Sequence, residues 1–237
     1  MKKSIIIEAR MNSSRLPGKV IKKLGYDTVI GVLIDRVKKA KNIDKIVIIT
    51  SKKKENDKLV KLIKKKKVSF FRGSELNVYR RFIEAADKFR TKIAIRLTAD
   101  NPLVDPKMID SMIKFYKKNL NINYLCNGYK SDFQTRQLPF GLDIELINPK
   151  ILKSFKNQVN TKKLQEHTTL IFFKNKKKGE FENYKIGNLK FAPEARLTID
   201  TLKDLKMINK LYFLLYEKYQ NKFDIKNIKN ILKKNKW

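Results

Sequence analysis

Short β-branched runs alternate with amphipathic stretches through the first half of the chain, and few folds accept that alternation. An apolar run suits a strand covered on both faces, and a stripe at helical spacing suits the helix that crosses back over it. Together they specify a parallel sheet with crossover helices. Residues 4–8 read as the first strand. Val29, Leu33, Val37 and Ala40, flanked by Ile30 and Ile34, make one helical stripe, with Asp27 placed to cap it. Strands at 45–50, 68–71 and 92–98 alternate with helices at 55–65 and 75–89, which gives βαβαβαβ. Asp105-Pro106 then opens a helix to about residue 118, with proline where its missing N–H costs nothing, and 122–126 reads as another strand.

Regularity weakens afterwards. Residues 128–139 form a polar segment without a period, too long for an ordinary connection and therefore a candidate binding loop. Residues 140–147 alternate like a strand, 161–173 like a helix and 195–199 like a strand. Thr201 with Asp204 fits a capping box that opens a helix to about residue 219, and Ile225, Ile228, Ile231 and Leu232 mark a last basic helix. With 237 residues, 42% of them apolar, the chain can bury one core, so residues 1–237 are expected to form a single domain. The one cysteine, Cys126, excludes an intramolecular disulfide and points to a reducing, cytoplasmic setting. The apolar run at 5–7 is cut by Glu8 and Arg10, so no signal peptide is expected, and no run approaches membrane-spanning length.

The formal charge of +33 suggests a polyanion partner. Lysines are scattered along the whole chain, however, as at 52–54, 64–67 and 176–178, which suits solvated faces better than one nucleic-acid patch. The ten arginines carry more information, because arginine supplies a planar fork for carboxylates and phosphates. Eight of them fall in the segments that carry chemistry: Arg10, Arg15, Arg72, Arg80, Arg81, Arg96, Arg136 and Arg196.

Three of those segments stand out. Residues 9–19, AlaArgMetAsnSerSerArgLeuProGlyLys, follow the first strand directly, where an open α/β sheet binds ligands. The loop offers cations and hydroxyls to a polyphosphate, although a basic surface loop explains it equally well. Ser13 and Val20 exclude a Walker A loop. In the second segment Asp100 follows an internal strand, and in the third Asp200 repeats that placement. Each alone reads as a turn residue; together beside a phosphate loop they supply what metal-assisted phosphoryl transfer requires. Asp143 and Glu145, two apart on an expected strand, share a face, as hydroxyl-binding or merely exposed residues would. His167 is the only histidine, so a multi-histidine metal site is excluded, and it reads as a helix-face residue or an acceptor contact.

These segments, in order, resemble the cytidylyltransferase family typified by a spore coat polysaccharide protein, and more distantly the synthetases of CMP-linked KDO and sialic acid. The resemblance runs from about Ser4 to Tyr216 on Ala9-Arg10-Met11, Ser14-Arg15-Leu16-Pro17-Gly18-Lys19, Phe71-Arg72-Gly73-Ser74-Glu75, Arg96-Leu97-Thr98-Ala99-Asp100, Gly141-Leu142-Asp143-Ile144-Glu145, Glu166-His167-Thr168 and Arg196-Leu197-Thr198-Ile199-Asp200-Thr201. It implies a doubly wound, mostly parallel sheet of the Rossmann-like nucleotide-diphospho-sugar transferase type, with a small insertion or dimerisation element. It also implies CTP as donor and a small acidic or sugar-derived acceptor, with Arg10, Ser14, Arg15 and Lys19 at the triphosphate and the Ala9 main chain at the base. Asp100 and Asp200 would hold Mg²⁺, Arg72, Gly73 and Ser74 would line the nucleotide pocket, and Asp143, Glu145 and His167 would face the acceptor. Lys19, Arg10, Asp100 and Asp200 are the expected catalytic set, in a homodimer serving surface polysaccharide synthesis. Asn101, Leu76-Asn77 and Leu202 depart from the family pattern. A nucleotide-sugar glycosyltransferase and a basic nucleic-acid-binding module remain as rival readings.

Overall fold

Ile5 and Ile7 face one side of the first strand and Ile6 the other, and each is fully buried in a different apolar cluster. That period of two, covered on both faces, places the strand at the centre of a sandwich of helices. The computed structural model of the chain describes residues 1–130, 132, 134–177, 179–187, 189–192 and 195–237. Strand β1 (Lys3–Glu8) pairs in parallel with β4 (Lys45–Ser51) on one side and β6 (Ile93–Thr98) on the other. Beyond β4 lies β5 (Ser69–Gly73), also parallel. Beyond β6 the sheet turns antiparallel through β8 (Glu145–Ile147) to β7 (Tyr124–Cys126), and β9 (Phe181–Asn183) closes that edge. The order is β5-β4-β1-β6-β8-β7-β9.

Helices α1 (Val29–Val37), α2 (Asp57–Lys65) and α4 (Pro106–Lys118) cover the Ile5 and Ile7 face. The Ile6 face is covered by α3 (Val78–Lys88), α5 (Pro149–Ser154), α6 (Lys162–Glu166) and α7 (Leu170–Lys174). A third cluster joins α1 to the hairpin of β2 (Lys23–Leu24) and β3 (Asp27–Thr28) and to the C-terminal helices α8 (Leu202–Tyr219) and α9 (Ile225–Lys234). The fold is the expected doubly wound α/β type. From β1 the chain winds outward through β4 and β5, then returns to β6 on the opposite side of β1. Such a reversal opens a crevice at the carboxyl ends of the two central strands.

The structure corrects several element expectations. Thr28, not Asp27, caps α1, its hydroxyl accepting from the Gly31 amide at 3.1 Å, while the Asp27 carboxylate pairs with Lys66. Only Glu145–Ile147 of the expected strand at 140–147 joins the sheet, and 195–199 contributes a single bridge between Phe140 and Arg196. The helix expected at 161–173 is broken at His167, which lies outside helical geometry at φ −104° and ψ 91°. The hairpin β2–β3 and strand β9 were not expected from periodicity; each is too short to show one. Within the expected loop at 128–139, residues 131 and 133 lie outside the described residues, as does Lys178 of the 176–178 lysine run. Among the described residues no helix is long and apolar enough to cross a membrane.

Candidate active site

The 9–19 loop leaves β1 at the crevice and is tied down before it offers any side chain. The Ala9 amide donates to Ile49 O at 3.0 Å and the Met11 amide to Asn56 Oδ1 at 3.0 Å. Gly18 folds the loop back, its amide donating to Met11 O at 2.9 Å, and adopts φ +67°, a conformation that disfavours side chains. Leu16 is buried in the C-terminal cluster. Lys19 is thereby aimed across the crevice. Its Nζ donates to Asp100 Oδ2 at 2.7 Å, to Asp200 Oδ1 at 3.0 Å and to Ile199 O at 2.8 Å. The two aspartate segments are joined directly, because the Ile199 amide donates to Asp100 O at 2.9 Å. Two carboxylates a hundred residues apart therefore meet one cation.

Each aspartate is further oriented. The Thr98 hydroxyl donates to Asp100 Oδ1 at 2.7 Å. Asp200 precedes the capping box of Thr201 and Asp204, pairs with Arg15 at 2.8 Å and also pairs with Arg196. Burial pushes the Asp200 carboxyl up, but Lys19, Arg15 and Arg196 outweigh it and hold its pKa below the ordinary carboxylate value.

Behind the crevice lies a buried ionic network. Arg96 on β6 donates to Glu8 Oε2 on β1 at 2.7 Å and to Glu145 Oε2 on β8. The strand registers put these residues on one face, and the two glutamates keep the buried guanidinium firmly protonated against desolvation. The free glutamate oxygens are met by hydroxyls: Thr168 to Glu8 at 2.5 Å, Thr169 to Glu145 at 2.9 Å, and Tyr124 to Glu145. These bonds explain the break between α6 and α7. At the break the adjacent Thr168 and Thr169 bond glutamates on different strands, and His167 lies over the crevice.

Two cavities meet at that point and share Thr98, Asp100, His167 and Asp200. The first, about 360 Å³, is lined by Ala9, Arg10, Ser14, Arg15 and Lys19, together with Arg81 from α3. The second, about 450 Å³, contains Asp143 and Glu145 with Arg136 and Arg196. Both volumes suit small molecules. Asp143 pairs with Arg136 at 2.7 Å, and burial raises its pKa against that cation. Arg10 reaches Glu166 at 3.3 Å.

Arg72, Gly73 and Ser74 line neither cavity. Arg72 is spent on Asp57 at 2.6 Å and on the carbonyls of Ser51, Lys52 and Lys53, which fixes the turn after β4. A Cβ on Gly73 would stand 2.9 Å from Arg81 Cγ, and Ser74 O accepts from the Arg81 guanidinium, so this segment acts by seating Arg81. Sequence reasoning marked Arg81, Arg96 and Glu145 one at a time but missed Glu8 and the network that joins it to Arg96 and Glu145. The available signal was a charge, Arg96, inside a β-branched run.

A family model described as Cytidylyltransferase matches residues 4–232. The spore coat polysaccharide biosynthesis protein SpsF of Bacillus subtilis is 34% identical over 213 residues, covering 87% of this chain and 85% of the relative. A 3-deoxy-manno-octulosonate cytidylyltransferase of Anaeromyxobacter sp. is 28% identical over 112 residues, 46% of this chain and 45% of the relative. The solved structure of a cytidylyltransferase from Leptospira borgpetersenii superposes with a TM-score of 0.90 at 32% identity, covering 100% of this chain and 95% of that one. With its parallel core, its basic loop beyond β1 and its two converging aspartates, the chain belongs to the cytidylyltransferase family, on the side of the spore coat polysaccharide type.

Proposed function

We propose that the protein transfers CMP from CTP to an acidic, sugar-derived acceptor and releases pyrophosphate. The observation that carries this reading is the convergence of Asp100 and Asp200 on Lys19 beside the 9–19 loop, at the crevice between β1 and β6. The named activities of the relatives support the donor and the acceptor class.

An acceptor hydroxyl oxygen attacks the α-phosphorus, and the bond to the β-phosphate oxygen breaks. Lys19, Arg15 and Arg10 line the first cavity and meet the charge that builds on the transferring group and on the departing pyrophosphate. The hydroxyl proton leaves to solvent as the new bond forms, while Lys19, Arg15 and Arg196 outweigh burial and keep the Asp200 pKa below the ordinary carboxylate value. Two carboxylates facing one positive charge fit Mg²⁺, which takes one or two carboxylates and completes its shell with water and phosphate oxygens. Asp100 and Asp200 would hold it, and when bound it would act as a Lewis acid on the phosphates. Asp143 and Glu145 line the second cavity and His167 the wall that both cavities share, so these residues would face an acceptor bound there. The same reading takes in a cytoplasmic homodimer, whose subunit count light scattering measures.

The test is pyrophosphate release from CTP with Mg²⁺ and a panel of sugar acids, with UTP and ATP as controls. Asp100→Asn is expected to lower turnover about 10²-fold or more. Near-normal turnover in that variant removes the carboxylate from the mechanism. Glycosyl transfer without pyrophosphate release would favour the glycosyltransferase reading.

A further inference from the structure

Gly25 and Tyr26 make the turn of the β2–β3 hairpin, and the Tyr26 side chain stands 71% exposed; Leu202, at the start of α8, is 53% exposed. Single exposed apolar side chains are ordinary, but these two belong to one held surface. The turn is pinned on α8. The Gly25 amide donates to Asn209 Oδ1 at 2.7 Å, and a Cβ on Gly25, at φ +60°, would stand 2.3 Å from the Tyr212 ring. That close approach seats the Tyr26 ring 5.5 Å from the Phe213 ring and 5.1 Å from that of Tyr216, between centroids. Leu205, Ile208, Leu211 and Leu215 bury the inner side of α8. Leu202, Lys206, Lys210 and Phe213 fall at helical spacing on the opposite side, so the rings and the lysines share one outward face.

The charge of this face is one-sided. Residues 202–237 carry ten lysines, no arginine and three acidic residues. Asp204 and Asp224 are engaged in the capping boxes of α8 and α9, so Glu217 is the carboxylate left on the outward side. Lys23 on the hairpin and Lys203, Lys206 and Lys210 on α8 are all exposed, and the Lys210 ammonium lies 5.2 Å from the Trp237 ring.

These features select among occupants. A second copy would bring like charge against like charge across this face. Single-stranded nucleic acid stacks on open, parallel ring faces, whereas Tyr26 meets Phe213 at 82° and Tyr216 at 56°, so the rings are turned edge to face. A site for one phosphate or carboxylate group draws on arginine forks, and this segment has none. Lysines alone suit a diffuse anionic layer, where hydrated point charges need no fixed geometry, and aromatic and leucine side chains beside them suit its apolar boundary. We propose that the outward face of α8 and the β2–β3 turn docks the protein peripherally on an anionic lipid surface, with Tyr26, Phe213 and Leu202 at the apolar boundary and Lys203, Lys206 and Lys210 at the headgroups. The face begins at the crevice rim, because Leu202 follows Asp200 by two residues, yet the inference is independent of the reaction run there.

The test is co-sedimentation of the full chain with vesicles of phosphatidylcholine and phosphatidylglycerol in equal parts, against vesicles of phosphatidylcholine alone. Wild type is expected to partition onto the mixed vesicles, to stay in solution with phosphatidylcholine, and to be released by high salt. Lys206→Glu with Lys210→Glu should weaken partition about tenfold or more. Lys61→Glu with Lys65→Glu, exposed on α2, makes the same charge change on another face and should weaken it no more than about twofold. Tyr26→Ser and Leu202→Ser should each weaken it about fivefold, with urea midpoints like that of wild type because both side chains are exposed. The proposal is overturned if wild type ignores the mixed vesicles or binds both kinds alike, if the α2 pair weakens partition as much as the α8 pair, or if both serine variants bind like wild type. Self-association in light scattering that Tyr26→Ser abolishes would give the face to a second copy and overturn it too. So would a single-stranded oligonucleotide that displaces the chain from vesicles and loses affinity with the α8 pair.

Discussion

Replacing Lys19 by methionine removes an ammonium shared by two aspartates while keeping most of the aliphatic stem. The cost falls unevenly between its partners. Asp200 keeps Arg15 at 2.8 Å and Arg196. Asp100 keeps the Thr98 hydroxyl at 2.7 Å and, among the described residues, has no second cation. Deleting a hydrogen bond to a charged group costs about 1.5–3 kcal/mol. The bond to Asp200 is backed by other cations and Asp100 is partly solvated, so the whole substitution is expected to cost about 2 kcal/mol. Urea unfolding of wild type, Lys19→Met, Asp100→Asn and the double variant, at a constant m value, isolates the pair. A Lys19–Asp100 coupling of about 1 kcal/mol is expected, and one within about 0.3 kcal/mol of zero would refute the geometry argued above. In the same set, Lys19→Met should slow pyrophosphate release about 10²–10³-fold, because the charge it stabilises develops only as the α-phosphorus bond breaks.

Two further outcomes follow from the site's construction. The Asp200 carboxyl has a lowered folded-state pKa, so it contributes stability that is present above the unfolded carboxylate value of about 3.9 and is lost as pH falls through the folded value. Asp200→Asn should therefore be less stable than wild type at pH 7, with the gap closing below about pH 4; a gap independent of pH in urea midpoints would contradict this. Gly141→Ala should cost about 3 kcal/mol or more from its clash with Leu197. Gly179→Ala, with φ +79° and, among the described residues, nothing nearer than the Asn121 side chain at 3.5 Å, should cost about 1 kcal/mol, and equal losses would mean that strain in φ alone explains both.

What could be read from the chain followed local rules. Central strands show as unbroken apolar runs because both faces are covered, and a ligand loop must follow the first of them, so the crevice and residues 9–19 were visible in advance. Asp100 and Asp200 were visible for the same reason, as was the Thr201 capping box, whose partners lie three residues apart. The misses depend on partners distant in sequence. Phe140 and Arg196 pair across more than fifty residues through a glycine whose only signature is the absence of a Cβ. Thr168 and Thr169 look helical until Glu8 and Glu145 are placed beneath them. Arg72 matches a motif, yet its donors are taken by the turn after β4, a destination that spacing along the chain does not encode.

The placement of Asp200 also explains why the C-terminal helices belong to the active site although they line neither cavity. Asp100 and Asp200 stand shortly before α4 and α8 respectively, so their separation is set by how those helices dock. The docking runs through Arg36 on α1, which is fully buried: its Nε donates to Val104 O at 3.1 Å, its Nη2 to Phe223 O at 3.3 Å, and its guanidinium lies 3.6 Å from the Phe223 ring centroid. Asp105, the cap of α4, also accepts from the Ile225 amide that starts α9, at 3.0 Å. Desolvation lowers the Arg36 pKa to about 10, still far above neutrality, so the guanidinium stays charged and its carbonyl bonds stay charge-assisted. One buried arginine and one capping aspartate thus fasten the start of α4 to the junction of α8 and α9. The third apolar cluster then seats α8 against α1, and Asp200 arrives at the crevice with its carboxylate toward Lys19. The chain brings in its second acidic residue late, from the segment that leads into a helix pair packed beside the sheet, and that packing sets the two-aspartate geometry.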